Sequence, residues 1–506
     1  MVPDAALRRL EAALPQGSVV RDEAERAAAG RATFATSQRV AAVVRPRSLE
    51  EVRAALRVCS EEKVRVHPVS RGKNYGFGSR VPPRDGCLLM DLSRMDRVVE
   101  HDDALGFITL EPGVSFAQAH AYLQERGSRL RLTTIGGPPE ASVVGNALER
   151  GEGRGPHSDA CAHLVDLEVA LATGEVVRTG LSRFGPGAAR ARGLHRWGLG
   201  PALDGLFSQS ALGVVTRATL WLAPASELVR DLVAKVARAE DLPPVVDAFR
   251  ELLLEGTLRS NVVLWNDVKA MAVSRQYPFE EAGGRTPLPP ELLAAWREAA
   301  GVGAWTGATT VFAPDRGIGL TCTRRARRAL VRAGAQQVHS LGLEEGAEPQ
   351  GVPTRRALPM AYWRKKGAVP AEPDLDRDGC GVIWVDVAVP FEGEAAAQAA
   401  RIAADVMPLV GFEPNLSLLS AGARCLLLAA MIAYDRDVPG EDEKAMACHR
   451  ALMRELGAAG FPPLRSGVES VGLALPEGDD SGAVLQRVKA ALDPAGVLAG
   501  GKHGRW

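Results

Sequence analysis

Strand-like and helix-like patterns of hydrophobic residues alternate along the first part of the chain. Residues 39–47 (RVAAVVRPR) and 64–70 (VRVHPVS) are short apolar runs that predict strands. Between them, residues 48–62 carry apolar residues at helical spacing behind Ser48 and Glu51, which predicts a helix that begins with a capping box. This alternation predicts an α+β domain.

The same alternation continues towards residue 225. Residues 115–127 have the spacing of a helix, and Gly127 is the candidate that ends it. Residues 164–180 predict a β-hairpin that turns at Thr173-Gly174. We therefore expect a helical segment over residues 1–34 and one folded unit over residues 35–225.

A different pattern begins after residue 225. Helical stretches at 240–255 and 441–459 alternate with apolar segments such as 380–391, which predicts a sheet covered by helices. We therefore expect a second domain over residues 226–490, followed by a tail over residues 491–506.

Composition and charge argue against several classes of function. Lys+Arg and Asp+Glu number 61 each, so the chain lacks the basic surplus of a nucleic-acid-binding protein. The longest apolar run, residues 425–434, is too short to span a bilayer and predicts a buried strand or helix. The N-terminus lacks the apolar core of a signal peptide, and the seven scattered cysteines predict neither disulfides nor a zinc site. A cytoplasmic protein fits these features.

A glycine-rich segment, residues 68–78 (PVSRGKNYGFG), follows a predicted strand and places three glycines within seven residues. Such a loop can turn its backbone N–H groups inward around a pyrophosphate, because glycine lets the chain approach closely. The segment matches neither the Walker pattern nor the Rossmann fingerprint. A plain surface loop has the same composition, so this segment alone leaves both interpretations open.

Two later segments have a similar character. They are residues 135–151 (IGGPPEASVVGNALERG), with 156–159 (PHSD) close behind, and residues 206–216 (LFSQSALGVVT). Each places small residues and single polar side chains where a flat cofactor fits between backbone segments. The three segments together favour a cofactor-binding domain.

Eight short motifs stand in one order along the chain: PxSxGxNxGxG (68–78), LEPGVSF (110–116), SVVGNALERG (142–151), LEVALATGEVVRTG (167–180), FSQSALGVVT (207–216), AYWRKKG (361–367), DGCGVIW (378–384) and LDPAGVLAGGKHG (492–504). In that order they resemble the vanillyl-alcohol oxidase / p-cresol methylhydroxylase family of FAD-linked oxidoreductases. The resemblance spans residues 35–506, and the GGPPEASVVGN spacing is more similar to the 4-cresol dehydrogenase and eugenol hydroxylase branch.

The resemblance implies an α+β fold: a two-part FAD-binding domain of the p-cresol methylhydroxylase (PCMH) type, completed by the tail, and a cap domain with an antiparallel sheet covered by helices. The flavin would lie at the interface of the two domains. The implied cofactor-binding residues are Pro68, Ser70, Arg71, Gly72, Lys73, Asn74, Tyr75, Gly76 and Gly78 around the pyrophosphate, Ser142, Gly145 and Asn146 along the ribityl chain and ring, Gly213, Val214, Val215 and Thr216 on the adenosine side, and also Gly137, Pro138, Gly151 and His157.

Lys502 in the tail is implied to face the flavin pyrimidine, where a positive charge stabilises the reduced flavin. A solvated tail lysine is the alternative. Many members of the family hold FAD covalently through a His or Tyr in the stretch aligned with residues 375–385. Here the stretch reads LDRDGCGVIWV, and Cys380 is interpreted as a small buried side chain, so we expect non-covalent FAD.

Phenol-oxidising members of the family grip the phenolate with two tyrosines and an arginine, and this chain keeps only the arginine. The first tyrosine position holds Phe77, the second holds Leu464, and the arginine is Arg465. Tyr75 and Tyr362 are the candidate replacements. Because both expected hydroxyls are missing, the usual alkylphenol chemistry of the family is in question.

Arg465 without its tyrosine neighbours suits a different anion, because a guanidinium binds a carboxylate in bidentate fashion as readily as a phenolate. We therefore expect hydride transfer to flavin N5 from a benzylic-type carbon of an aromatic substrate that carries a carboxylate. Loss of CO₂ then gives an alkene, a reaction that fits secondary-metabolite biosynthesis.

Other candidate residues each have a structural alternative. Glu140 is a candidate acid or base beside flavin N5, or an exposed turn glutamate. Arg364 and Lys365 are candidates to help bind an anionic substrate, or are solvated. Trp363 and Trp384 are candidates to line an aromatic pocket, or pack in the core.

Two other functions stay open from the sequence. One is a 4-alkylphenol or aromatic-alcohol oxidase or dehydrogenase that uses Tyr75 or Tyr362, and the other is a catalytically silent flavin-binding protein. The expected partners of the enzyme are a small aromatic substrate and O₂ or another electron acceptor. A homodimer is allowed, whereas nucleic acid and membrane are not expected partners.

Overall fold

A computed structural model describes residues 2–342, 351–471 and 480–502 of the chain. Residues 503–506 of the expected tail lie outside the described residues. Helices and mainly antiparallel sheets make up the fold, as expected for the α+β class. Among the described helices, none is both long and apolar enough to cross a membrane.

The N-terminal sheet contains strands β1 (Val19–Val20), β2 (Ala42–Val44), β3 (Val66–Val69) and β4 (Leu88–Asp91), with helices α1 (Asp4–Ala13), α2 (Glu23–Ala29) and α3 (Leu49–Glu62) beside it. The strand order is β1-β2-β4-β3, and β2 and β3 both run parallel to β4. Apolar faces of α1 and α3 form one core with this sheet. The core fixes β3, whose end leads into the glycine-rich loop.

Residues 98–224 form the second sheet and a small strand pair. The elements are β5 (Val98–Asp102), β6 (Phe107–Leu110), α4 (Phe116–Glu125), β7 (Leu130–Arg131), α5 (Val143–Leu148), β8 (Leu164–Ala170), β9 (Val176–Arg178), β10 (Val214–Trp221) and β11 (Ala223–Pro224). The sheet has the order β5-β6-β10-β8-β9, and β7 pairs with β11. The expected hairpin over residues 164–180 is the antiparallel pair β8–β9.

The largest sheet has eight strands, all drawn from residues 228–465. Its elements are β12 (Leu228–Val236), α6 (Leu242–Leu254), β13 (Val262–Asn266), α7 (Asp267–Ser274), α8 (Pro290–Ala300), β14 (Trp305–Ala313), α9 (Arg316–Arg332), β15 (Gln337–Gly342), β16 (Cys380–Pro390), α10 (Gly393–Leu409), β17 (Leu416–Ala421), β18 (Cys425–Asp435), α11 (Glu441–Ala458) and β19 (Pro463–Arg465). The order is β15-β12-β14-β13-β17-β18-β16-β19. The apolar run 425–434 is therefore a strand.

The two faces of β16 have different surroundings. Ile383, Val385 and Val387 join the core in which helices α6, α9, α10 and α11 cover the sheet. Side chains alternate along a strand, so Trp384 and Asp386 point to the opposite face. That face lies against the glycine-rich loop, because the Trp384 ring packs directly on Gly76.

The C-terminal tail returns to the N-terminal sheet. It follows helix α12 (Asp480–Leu492), and Leu498 forms an isolated parallel bridge with Val66 of β3. The Asp493 carboxylate holds the turn by accepting the backbone N–H groups of Val497 and Leu498. This turn brings Lys502 close to the glycine-rich loop.

One helix start differs from the prediction. Ser48 Oγ accepts the Glu51 N–H at 3.3 Å, but the Glu51 carboxylate accepts the backbone N–H of Arg47 instead of that of Ser48. The capping box at α3 is therefore only half formed. A reciprocal capping box is present at α4, between Ser115 and Gln118. Gly127 ends the region of α4 with a positive φ of 62°, as predicted.

Candidate active site

An open cleft lies between the glycine-rich loop, helix α5, residues 207–215 and strand β19. Arg465 from the largest sheet and Lys502 from the tail both reach it. The other predicted residues that line it are Pro68, Ser70, Arg71, Gly72, Lys73, Asn74, Ser142, Gly145, Asn146, Gly213 and Val215. Segments that are far apart in sequence thus meet around one space.

The close approach of α5 to the glycine-rich loop requires a glycine. Ser142 caps α5, since its Oγ accepts the Gly145 N–H at 2.8 Å and donates to the Pro112 carbonyl at 2.6 Å. A Cβ on Gly145 would lie 2.3 Å from Ser70 Oγ, which is closer than non-bonded atoms approach. A side chain at this position would therefore displace the Ser70 hydroxyl from the wall of the cleft.

Two further glycines of the loop connect it to the largest sheet. Gly76 and Gly78 have φ angles of 79° and 100°, which L side chains rarely adopt. A Cβ on Gly76 would lie 2.1 Å from Trp384 Cδ1, and one on Gly78 would lie 2.3 Å from a Val468 methyl carbon. These glycines are not among the cleft-lining residues, and they set how closely the loop packs against the cap.

Several other predicted cofactor residues lie behind the cleft wall. Val214 is buried in the N-terminal core, and Thr216 Oγ1 donates to Glu168 at 3.2 Å. His157 stacks on His163 with ring centroids 3.8 Å apart. These contacts give the three residues packing partners, and their cofactor-binding roles stay a prediction. Gly137, Pro138, Gly151 and Tyr75 are likewise absent from the cleft lining.

Lys502 lies in the cleft wall and is mostly buried. Its ammonium pairs with Glu149 Oε1 at 2.8 Å. The lysine is therefore not a solvated tail residue. Its charge stands at the end of the cleft that the tail closes.

Comparisons with known proteins define the class of this cleft. Residues 40–180 match the family model described as an FAD binding domain. The chain is 40% identical to the 1'-carboxy-chondrochloren decarboxylase of Chondromyces crocatus, over 98% of this chain and 96% of that protein. It is 26% identical to the 4-cresol dehydrogenase [hydroxylating] flavoprotein subunit of Pseudomonas putida, over 92% and 87% of the two chains.

The fold agrees with these relatives. The crystal structure of p-cresol methylhydroxylase with substrate bound superimposes with a TM-score of 0.91 at 23% identity, over 99% of this chain and 96% of that one. The protein is thus an FAD-dependent oxidoreductase. It belongs to the vanillyl-alcohol oxidase / p-cresol methylhydroxylase family, and its cofactor is FAD. The cleft fits this group, because side-chain-free positions such as Gly145 leave room for a cofactor between backbone segments.

Arg465 occupies the border between the cleft and the cap sheet. Its guanidinium carbon lies 4.6 Å from the centre of the Phe77 ring, and its strand pairs with β16 opposite Asp386. Among the described residues, no carboxylate forms an ion pair with Arg465 within 4 Å, and the buried carboxylates of Glu152 and Asp386 interact with its charge from further away. The guanidinium therefore has room to pair with an anion from outside the chain.

Tyr75 and Tyr362, the candidate tyrosines for binding a substrate phenolate, do not line the cleft. Tyr362 is buried, and its hydroxyl donates to Asp378 Oδ2 at 2.6 Å. Burial raises the pKa of both Tyr75 and Tyr362 above the usual value, so both hydroxyl groups keep their protons near neutral pH. Leu464 is 36% exposed and precedes Arg465 on β19.

The charged candidates Glu140, Arg364 and Lys365 all form ion pairs. Glu140 forms an ion pair with Arg355 and does not line the cleft. Arg364 pairs with Glu413 at 3.1 Å, and Lys365 pairs with Asp435 at 2.8 Å. Their contacts support structural roles.

The two candidate tryptophans have different surroundings. Trp363 packs edge-on against Tyr277 in a buried cluster, with ring centroids 5.5 Å apart. Trp384 instead lies between Gly76 and the ammonium of Lys269, which is 4.7 Å from its ring.

Three ionisable residues near Arg465 escaped the sequence analysis. Burial lowers the pKa of Lys269 to about 7 and raises that of Asp386 to about 7, while burial raises the pKa of Glu152 to about 8. Asp386 Oδ1 and Glu152 Oε2 are buried, and neither has a hydrogen-bond partner within the described part of the chain. The available signal was a single carboxylate within the apolar strand sequence CGVIWVDVAVP.

Proposed function

We propose that the protein catalyses oxidative decarboxylation of an aromatic substrate that bears a carboxylate, and that Arg465 binds this carboxylate. The main support is the Arg465 side chain, which faces the cleft without an anionic partner among the described residues. A relative 40% identical over nearly the whole chain carries the name of a decarboxylase whose substrate is a 1'-carboxy compound. A small acylated aromatic amino acid is a suitable probe of this substrate class.

The proposed division of labour follows the fold. Residues 35–225 and the tail over residues 491–506 hold FAD non-covalently, and residues 226–490 form the cap that binds the substrate. FAD supplies the acceptor for the hydride that leaves the benzylic carbon. The chain orients the substrate through Arg465 and keeps water away through the buried face of β16.

The chemistry balances without added water. In a ring with a deprotonated hydroxyl group, the benzylic carbon loses a hydride, and a quinone methide results. The bond between the neighbouring carbon and the carboxylate then breaks, and its electron pair restores the aromatic ring. The products are CO₂ and an alkene conjugated with the ring. Arg465 holds the carboxylate in place until that bond breaks.

Anaerobic mixing tests the role of Arg465. The purified holoenzyme is mixed with N-acetyltyrosine or with N-acetyltyrosinamide, which lacks the carboxylate, and loss of the yellow colour is followed. We expect bleaching with N-acetyltyrosine and none with the amide. In Arg465→Gln the rate of bleaching should fall by about 100-fold or more, because the substrate carboxylate loses its charged partner. The exposed Arg238→Gln is the control. Equal rates in wild type and Arg465→Gln would remove Arg465 from the proposal.

The alkylphenol alternative has less support. It needs a tyrosine hydroxyl in the cleft that is free to bind a phenolate. The Tyr362 hydroxyl is bonded to Asp378, and Tyr75 does not line the cleft. Phe77 and Leu464 supply no hydroxyl at the two family positions.

A further inference from the structure

Lys269 is buried in an unusual environment. It lies on helix α7 and is 2% exposed. Its Nζ contacts Met431 Sδ at 3.8 Å and lies 4.7 Å from the Trp384 ring, and no oxygen within hydrogen-bond distance of Nζ is found among the described residues. Buried amino groups are normally satisfied by oxygen acceptors. The amino group of Lys269 therefore has capacity for a partner that the described chain does not provide.

Asp386 has the complementary deficiency. It is 4% exposed, and its Oδ1 has no hydrogen-bond partner. Both Arg465 and Lys269 act on its charge, yet neither forms an ion pair with it within 4 Å. An isolated buried carboxylate is unfavourable. A polar group placed between Asp386 and the cations of Arg465 and Lys269 would satisfy it.

These groups share one face of the cap sheet. Trp384 and Asp386 are two residues apart on β16, Met431 lies opposite Trp384 on β18, and Arg465 lies opposite Asp386 on β19. Trp384 packs against Gly76 of the glycine-rich loop. Of these residues Arg465 lines the cleft, and Asp386 is its cross-strand neighbour, so the unsatisfied groups lie behind Arg465 on the side of the cap.

Resting on the proposed function, we propose that Lys269 binds the ring hydroxyl of a hydroxyaryl substrate while Arg465 binds its carboxylate. Lys269 thereby replaces the tyrosine hydroxyls that Phe77 and Leu464 lack. Asp386 acts as a positioning residue, because its nearby negative charge stabilises the ammonium that forms when Lys269 takes the proton of the ring hydroxyl.

The assignment supplies the missing proton transfer. The neutral amine of Lys269 takes the proton of the ring hydroxyl, and the substrate becomes a phenolate beside an ammonium. After hydride and CO₂ have left, the ring oxygen is again a phenolate and takes the same proton back. Lys269 therefore returns to its starting state, and FAD is the oxidant that accepts the hydride.

Equilibrium binding to the oxidised holoenzyme tests this assignment apart from turnover. N-acetyltyrosine and N-acetylphenylalanine differ only in the ring hydroxyl, and their affinities are measured by calorimetry. We expect wild type to prefer N-acetyltyrosine by about 10-fold or more, as for a hydrogen bond to a buried amine or ammonium. Lys269→Met, which keeps the length but removes the amine, should bind both compounds equally.

Further variants separate the outcomes. The surface variant Lys444→Met should keep the wild-type preference, and Asp386→Asn should reduce it. Arg465→Gln should weaken both compounds alike. An unchanged preference in Lys269→Met, or no preference in wild type, would overturn the assignment of Lys269, even if the bleaching experiment supports the role of Arg465. Bound FAD and the melting temperature of each variant establish that it is folded; if Lys269→Met does not fold, the wild-type preference and Asp386→Asn decide.

Discussion

The guanidinium of Arg465 lies over the ring of Phe77, 4.6 Å from its centre, at a position where the resemblance to phenol-oxidising members of the family implies a tyrosine. Phe77→Tyr places a hydroxyl near this cation, and the hydroxyl competes with a substrate carboxylate. We expect N-acetyltyrosine to bind about 5-fold more weakly, since a hydrogen bond contributes about 1 kcal/mol. Calorimetry measures this change.

The control for Phe77→Tyr is Phe184→Tyr, at an exposed phenylalanine that also has an arginine near its ring. Tighter binding of the acid to Phe77→Tyr would show that the aryl hydroxyl, and not the carboxylate, is the group next to Arg465.

Gly145 offers a test of the cofactor cleft. In Gly145→Ala, the added methyl group would lie 2.3 Å from Ser70 Oγ, so it occupies part of the cleft wall and displaces the Ser70 hydroxyl. We expect a folded protein that retains less than about a tenth of its FAD, because the methyl group and the displaced hydroxyl take up space that the cofactor needs. The ratio of flavin to protein absorbance measures this occupancy.

Gly457→Ala is the matched control, since Gly457 lies in helix α11 and nothing is within 4 Å of its added Cβ. This substitution should stabilise the fold by up to about 1 kcal/mol through helix propensity. Full FAD occupancy in Gly145→Ala would show that the cofactor does not depend on this approach.

Glu152 predicts a pH dependence of stability. Its folded pKa is raised by burial from 4.5 to about 8, so the unfolded chain ionises first as pH rises. The fold is therefore progressively destabilised between about pH 4.5 and pH 8, and the penalty is constant above that range. Glu152→Gln should be more stable than wild type at pH 8 by a few kcal/mol, and the difference should vanish near pH 4.

Denaturant unfolding of the holoenzyme at several pH values measures this difference. Glu443→Gln, at an exposed glutamate of α11, is the control. A stability difference for Glu152→Gln that is the same at pH 4 and pH 8 would contradict the buried, protonated state of this side chain.

The mode of FAD attachment follows from Cys380. This thiol is buried, and burial raises its pKa to about 12, so it is not a thiolate near neutral pH. Acid precipitation should therefore leave the yellow colour in the supernatant. A yellow pellet from wild type that turns colourless in Cys380→Ala would establish a thioether bond instead.

The sequence predicted the fold well where motifs and local patterns act together. Ser70, Gly145 and Lys502 were assigned to one cleft from motif positions, and all three line it. Thr216 was assigned by the same route, yet strand alternation turns its side chain towards Glu168, behind the cleft wall. A motif therefore identifies a segment more securely than the direction of each side chain.

The unsatisfied charges of the cap could not be predicted in the same way. Lys269 and Asp386 are separated by 117 positions and belong to α7 and β16, and their proximity depends on how the helix crosses the sheet. Glu140 was a candidate acid or base from its motif position, but it forms an ion pair with Arg355, which is distant in sequence. Tertiary packing decides all three.

The most direct test of oxidative decarboxylation is a single anaerobic turnover with carboxyl-labelled N-acetyltyrosine. We predict one labelled CO₂ released and one enamide formed for each FAD reduced, in wild-type holoenzyme. FAD reduction with the carboxylate retained in a hydroxylated or dehydrogenated product would contradict the account, and so would a complete lack of FAD reduction.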